Sequence, residues 1–131
     1  MAFPVVFQGQ DDVIEFTVED EDGNVVDLTN YSIFIVYLYY ENGKQTLEKY
    51  SSDALAGFNN ADLKPIDLAN GRFDINLQSS VTETANLGNI VAEIKAKTAN
   101  TEFANNSFKD LDSDIDVMEI KKAVTVNDTL D

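Results

Sequence analysis

The sequence has no cysteine, no histidine, no tryptophan and a single arginine, Arg72, in 131 residues. Without cysteine there is no disulfide framework, no thiol nucleophile and no thiolate cage for zinc. Without histidine there is no imidazole base and no imidazole ligand for a transition metal. Basic residues are scarce in general: nine Lys and Arg stand against 24 Asp and Glu, a net charge of −15. A phosphate binder needs concentrated cations, so nucleic acid is excluded as a partner and an anionic membrane surface is disfavoured. The longest apolar run, "IFIVYLYY" from Ile33 to Tyr40, stops far short of the about 20 residues a membrane span needs, so no membrane insertion is expected. The opening "MAFPVVFQGQDD" has neither a basic n-region nor a cleavage pattern, so no signal peptide is read there. The six glycines are scattered among turn signals rather than gathered into a phosphate-cradling loop.

What is present is core material. Apolar residues make up 44% of the chain, with eight Phe and five Tyr. That is too much for a disordered acidic segment, and the length suits one domain over residues 1–131. The segment "FPVVF" (Phe3 to Phe7) reads as a short edge strand, since Pro4 cannot donate to an inner ladder. "DVIEFTV" alternates, with Ile14, Phe16 and Val18 on one face and Val13, Glu15 and Thr17 on the other, the period of a half-buried strand. The pair Asp22-Gly23 inside "EDEDGN" marks a hairpin turn. "YSIFIVYLYY" is apolar on both faces and rich in β-branched and aromatic residues, which predicts a central strand covered on both sides. Asn42-Gly43 turns it into "KQTLEKYS". After an irregular stretch, "NGRFDINL" gives a third turn and a strand with Phe73, Ile75 and Leu77 inward. "SSVTETANL" fits one short helical turn, with Ser80 and Glu83 at capping-box spacing. "NIVAEIKAK" alternates again. "IDVMEIKKAVTV" closes the pattern as a strand, although Leu111, Ile115 and Met118 also fit a helical stripe. The tail, residues 127–131, is expected to fray. The whole predicts an all-β, immunoglobulin-like β-sandwich of about seven strands with one short helical turn.

Chemistry-bearing patterns are thin. "DLDSDIDVME" places Asp112, Asp114 and Asp116 at alternating positions, which makes them the calcium candidates. An EF-hand counted from Asp112 would need glycine at the sixth place and glutamate at the twelfth, where the chain has Val117 and Ala123. In "EDEDGN" the glycine directly follows Asp22, where a tight turn wants it, so those acids read as a solvated hairpin tip. Among 24 acids some pair always falls at a catalytic separation, so carboxylate pairs carry no signal. No S-x-x-K, D-T-G or D-S-G stretch occurs. Neither an enzymatic activity nor a cofactor is expected. Tyr31, Tyr37, Tyr39, Tyr40 and Tyr50 suit a core, a protein interface or a sugar-stacking platform. A strand apolar on both faces, in a chain with little helix to cover it, points towards a partner.

The run "GQDDVIEFTVEDEDGNVVDLTNYSIFIVYLYYENGK" resembles the N-terminal immunoglobulin-like domain of phage baseplate upper proteins and related virion proteins. The features are Gly9 and Asp11, the strand Ile14 to Val18, the turn Asp20 to Gly23, Val25-Val26, Asp27-Leu28-Thr29 and the apolar strand Ile33 to Leu38. "NGRFDINL", "TETANLGN" and "IVAEIKAK" resemble the second half, so the likeness covers roughly Gly9 to Lys97. The segment from Phe58 to Pro65 and the acidic closing segment depart from it. The resemblance implies a virion scaffold without catalytic residues, made in the host bacterial cytoplasm and located in the virion. Its expected partners are other virion proteins, capsid or tail subunits, or further copies of itself. The reading is an auxiliary, or decoration, protein docking on the capsid through an apolar aromatic sheet face, with a tail or baseplate adaptor as the alternative. A calcium-assisted carbohydrate-binding module is the alternative from another class. The interface candidates are Phe34, Tyr37, Tyr39 and Tyr40, with Phe3, Val5 and Phe7 as a strand to donate to a neighbour's edge.

Overall fold

A computed structural model describes residues 5–98 and 108–122, apart from the side chains of Ser113, Asp114 and Asp116. Among these residues the chain forms eight strands in two sheets. In chain order they are β1 (Val5–Phe7), β2 (Asp12–Thr17), β3 (Ile33–Tyr40), β4 (Thr46–Ser51), β5 (Leu63–Asp67), β6 (Arg72–Leu77), β7 (Gly88–Lys97) and β8 (Lys109–Lys121). The larger sheet runs β1-β8-β7-β3-β4 and the smaller β2-β6-β5. All pairings are antiparallel except β1 with β8, which is parallel. This is the immunoglobulin-like order, a G-F-C sheet widened at both edges facing a B-E-D sheet.

The core lies between the sheets because the period of two sends alternate side chains inward. Phe16 and Phe73 from the smaller sheet stack at 4.9 Å, and Phe34 from the larger sheet meets Phe73 at 5.0 Å. Val36, Leu38, Ile90, Ala92, Ile94, Met118 and Ile120 complete the larger sheet's inner face, with Ile75 and Leu77 opposite.

Three segments depart from the sequence expectation. β5, "LKPID", begins inside the stretch expected to be irregular. It is an edge strand with one deeply buried side chain, Leu63, and it tolerates Pro65 because nothing pairs on its far side among the described residues. The hairpin expected at Asp22-Gly23 is reduced to a single bridge, Glu19 to Val25, because β2 ends at Thr17 and the chain crosses to the other sheet. Third, β8 begins at Lys109, so the closing strand expected from Ile115 opens six residues earlier, with "KDLDSD". Its register against β7 slips three times, each slip admitting an extra residue into β8. One falls between the pairs Val91–Asp116 and Ile90–Met118, leaving Val117 over. Such a bulge reverses the parity of the strand, so Ile115 and Met118, three apart, both face inward. That spacing is what imitates a helical stripe in the sequence.

The one short helix, α1, covers Ser79–Glu83. Its N-terminal amide is not satisfied by Ser80: the Ser79 N–H donates to Asp11 Oδ1 at 2.6 Å. The buried Thr82 hydroxyl donates to the Gln10 carbonyl at 2.9 Å, and Gln8 Nε2 donates to the Ala85 carbonyl at 2.8 Å. The expected capping box is thus replaced by a cap from the turn before β2. Gly9 gives that turn its positive φ of 82°.

Candidate functional site

β3 lies inside the larger sheet, between β7 and β4, so its two faces meet different surroundings. Phe34, Val36 and Leu38 point into the sandwich. Ile33, Ile35, Tyr37 and Tyr39 alternate with them and lie on the outer face. Tyr37 pairs with Glu93 on one side and Lys49 on the other, and Tyr39 pairs with Val91 and Thr46. Together Tyr37, Tyr39, Lys44, Thr46, Glu93 and Lys95 line a shallow, open bowl of about 440 Å³.

The outer face is less bare than an apolar strand implies. The Phe58 ring, from the segment between β4 and β5, packs edge-on against Tyr37 at 5.7 Å. Lys49 Nζ stands 5.0 Å from the Phe58 ring, Lys44 Nζ 5.4 Å from the Tyr39 ring and Lys97 Nζ 5.5 Å from the Phe108 ring. Lysines over aromatic faces gain cation–π attraction while their methylene stems cover apolar surface. Lys95 Nζ sits 3.1 Å from Asp110 Oδ1, and this hydrogen bond leads the causes that raise the Lys95 pKa above its ordinary 10.5. The face is therefore aromatic with a mixed-charge surround, Lys44, Lys49, Lys95 and Lys97 alongside Glu93 and Asp110, and part of its cover is its own chain.

The other expected positions scatter. Phe34 is only 2% exposed and belongs to the core, so it is no surface contact. Tyr40 is half-buried against the core, and its hydroxyl accepts from the Asn86 N–H at 2.9 Å, a structural duty. Val5 and Phe7 are 41% and 38% exposed, but β1 is already paired with β8 of the same chain and so is not free for donation. Phe3 lies outside the described residues. Tyr50 is sealed in the core and Tyr31 packs against it, so the five tyrosines form no single platform.

The calcium candidates Asp112, Asp114 and Asp116 lie along β8, a strand rather than a loop. A calcium loop of the EF-hand kind draws its ligands from a tight turn, which an extended strand does not supply, and the side chains of Asp114 and Asp116 lie outside the described residues. Among the described residues no group of three or more acidic or other ligating side chains is placed to hold a metal ion. At the "EDEDGN" tip, Asp20 Oδ1 accepts from the Asp22 and Asn24 amides at 2.9 and 3.0 Å, and Gly23 takes φ of 83°. Asp20 thus shapes the turn. Asp27 similarly accepts from the Thr29 amide at 2.9 Å and from its hydroxyl, which sets the 3₁₀ turn that buries Leu28. No family model matches the chain, and no curated protein is significantly similar to it.

Two further surfaces have no counterpart in the sequence reading. One is a cleft of about 430 Å³ where β2 meets β8 and β1. The second is a small hollow of about 210 Å³ under the β3–β4 hairpin, with Tyr40, Glu41, Leu87 and Asn89 in its wall. Alternation reveals which residues share a face, but the edges of a sheet follow from strand order, which no local pattern carries.

Proposed function

We propose that this chain is a non-enzymatic structural protein of a bacteriophage particle, seated on the capsid shell as an auxiliary or decoration subunit. The observation that carries this reading is the outer face of the larger sheet. Tyr37 and Tyr39 lie side by side on a rigid interior strand, in a shallow bowl rimmed by Lys44 and Lys95. Tyrosines held by a sheet lose little conformational freedom on binding and contact both apolar and polar groups, as interface anchors do. The surrounding lysines fit a docking patch with acidic or polar groups at its rim, while the remaining acidic surface keeps the free subunit soluble. The likeness of Gly9 to Lys97 to virion immunoglobulin-like domains supports the particle as its location. A tail or baseplate adaptor uses the same face. Tyr50 lies in the core and Tyr31 and Tyr40 pack against it, so a sugar-stacking platform would be limited to the same Tyr37–Tyr39 pair.

Cryo-electron microscopy of purified particles tests the reading, with density for this fold expected on the shell. Absence of the protein from purified particles would overturn it. The double variant Tyr37→Ala/Tyr39→Ala should stay folded, as both side chains lie outside the core, yet occupy the particle at least about tenfold less well. Full occupancy by that variant would move the contact to another face.

A further inference from the structure

The smaller sheet ends at β2, and among the described residues β2 pairs only with β6. The Val18 amide donates to the Gly71 carbonyl, and the register continues through Phe16–Phe73 and Ile14–Ile75. In an antiparallel ladder this turns the even-numbered amides towards β6 and those of Val13, Glu15 and Thr17 to the open side. The Val13 N–H is occupied by the Asp12 carboxylate at 2.8 Å. Glu15 and Thr17 keep the pattern of donor and acceptor that a further strand would meet.

Beside this edge lies the cleft of about 430 Å³, reaching across to β8 and β1. Val6, Ile14, Phe16, Ile115, Val117 and Met118 make its apolar wall. On the solvent face of the sheet, Glu15 stands directly opposite Asp74 of β6, a like-charge pair that costs stability. Lys64 on β5 stands on the far side of Asp74 and Arg72 on β6 shares the same face, diagonal to Glu15, while on the open side no base neighbours Glu15 among the described residues. Val13, 51% exposed, is on that solvent face too.

We propose that the β2 edge is a strand-receiving site. It takes an extended segment of a partner protein in which apolar residues alternate with Lys or Arg. The backbone of that segment pairs with Glu15 and Thr17, its apolar side chains fill the cleft, and its bases lie beside Glu15 and relieve the repulsion from Asp74. The same acids reject a second copy of this chain. Edge-to-edge pairing would bring Asp12 and Glu15 of both copies together on two bodies of charge −15 each. The site is separate from the Tyr37–Tyr39 face and does not depend on the particle in which the chain works.

A random heptapeptide library selected on the intact protein at physiological salt, followed by amide hydrogen exchange with an enriched peptide, tests the site. The expected result is alternation of apolar and basic residues in the enriched peptides, with new protection at the Glu15 and Thr17 amides. Thr17→Pro removes an outward donor without touching the β2–β6 ladder and should weaken binding about tenfold. Glu15→Lys, which leaves every backbone group in place, should turn the selection towards Asp and Glu. Equal binding by wild type and Thr17→Pro would overturn the proposal, as would enriched peptides with no basic alternation, or none enriched. Slow exchange of both amides in the free, dilute protein would overturn it by showing the edge already covered by its own chain. Protection that grows with protein concentration alone would assign the edge to a second copy instead.

Discussion

Tyr50 carries an uncompensated cost within the core. Its side chain is fully buried on β4, and its hydroxyl has no hydrogen-bond partner among the described residues. A buried unpaired hydroxyl loses its water without replacement, so Tyr50→Phe should stabilise the protein by about 1–3 kcal/mol in urea denaturation at neutral pH. A loss of stability would show that a buried water serves the hydroxyl. The same residue sets a pH dependence. Burial, with help from the Glu48 and Asp62 charges, holds its pKa well above the ordinary 10.0. Below that value both folded and unfolded chains keep the proton. Above it the unfolded chain releases the proton and the folded chain does not, so stability falls as pH rises. Between about pH 9 and about pH 11 the wild type should therefore lose more stability than Tyr50→Phe. Gly71 is constrained by geometry instead. It sits at φ 72°, and a Cβ there would lie 2.8 Å from the Val18 carbonyl and 2.9 Å from that of Val26. Both atoms are backbone and cannot swing aside, so Gly71→Ala should cost roughly 2–4 kcal/mol. Gly23→Ala, at a similar φ but in open space, should cost only about 1 kcal/mol in the same urea titration.

Among elements, α1 shows how a short helix is held from outside. Five residues cannot sustain a helix alone. Asp11 accepts from its first amide, and Gln8 and the Gln10 carbonyl tie down Ala85 and Thr82. Asp11→Ala should thus cost about 1 kcal/mol, as loss of a helix cap does. It should also speed exchange of the α1 amides before those of β6. A global loss with no local signature would remove Asp11 from that role. The Ser80–Glu83 spacing suggested a self-contained cap because a local motif cannot reveal a partner 68 residues away in sequence. Strands were legible wherever one buried face met one solvated face, as in β2, β6 and β7. β5 was hidden because Lys64, Pro65 and Ile66 are all exposed, so it carries almost no alternation. In β8 the bulges broke the period at the residues whose spacing mattered. For the outer face, parity alone put Tyr37 and Tyr39 together. Phe34 was misplaced because alternation separates two faces without telling which one the second sheet covers.

For the molecule as a whole, the dominant electrostatic fact is self-repulsion among 24 acids relieved by nine bases. Folding brings those acids closer together than in the expanded chain, so charge opposes the compact state. Salt acts on two terms of opposite sign. It weakens pairs such as Lys95–Asp110, but that pair is exposed, with side chains 31% and 62% accessible, and exposed pairs contribute at most about 1 kcal/mol. It also screens repulsion summed over many acids, at separations comparable to a Debye length of about 10 Å at 0.1 M. The second term is the larger one here because acids outnumber bases so heavily. Raising sodium chloride from about 0.01 M to about 0.5 M should therefore raise Tm by a few degrees, roughly 1 kcal/mol. Thermal melts followed by circular dichroism at a fixed pH of about 7.5 read the change, with most of the rise complete by about 0.2 M, where the Debye length has already fallen well below 10 Å. A fall in Tm over this range would mean that attractive pairs outweigh the net charge, and the acids would then have to be arranged in closer register with the few lysines than the described ion pair suggests.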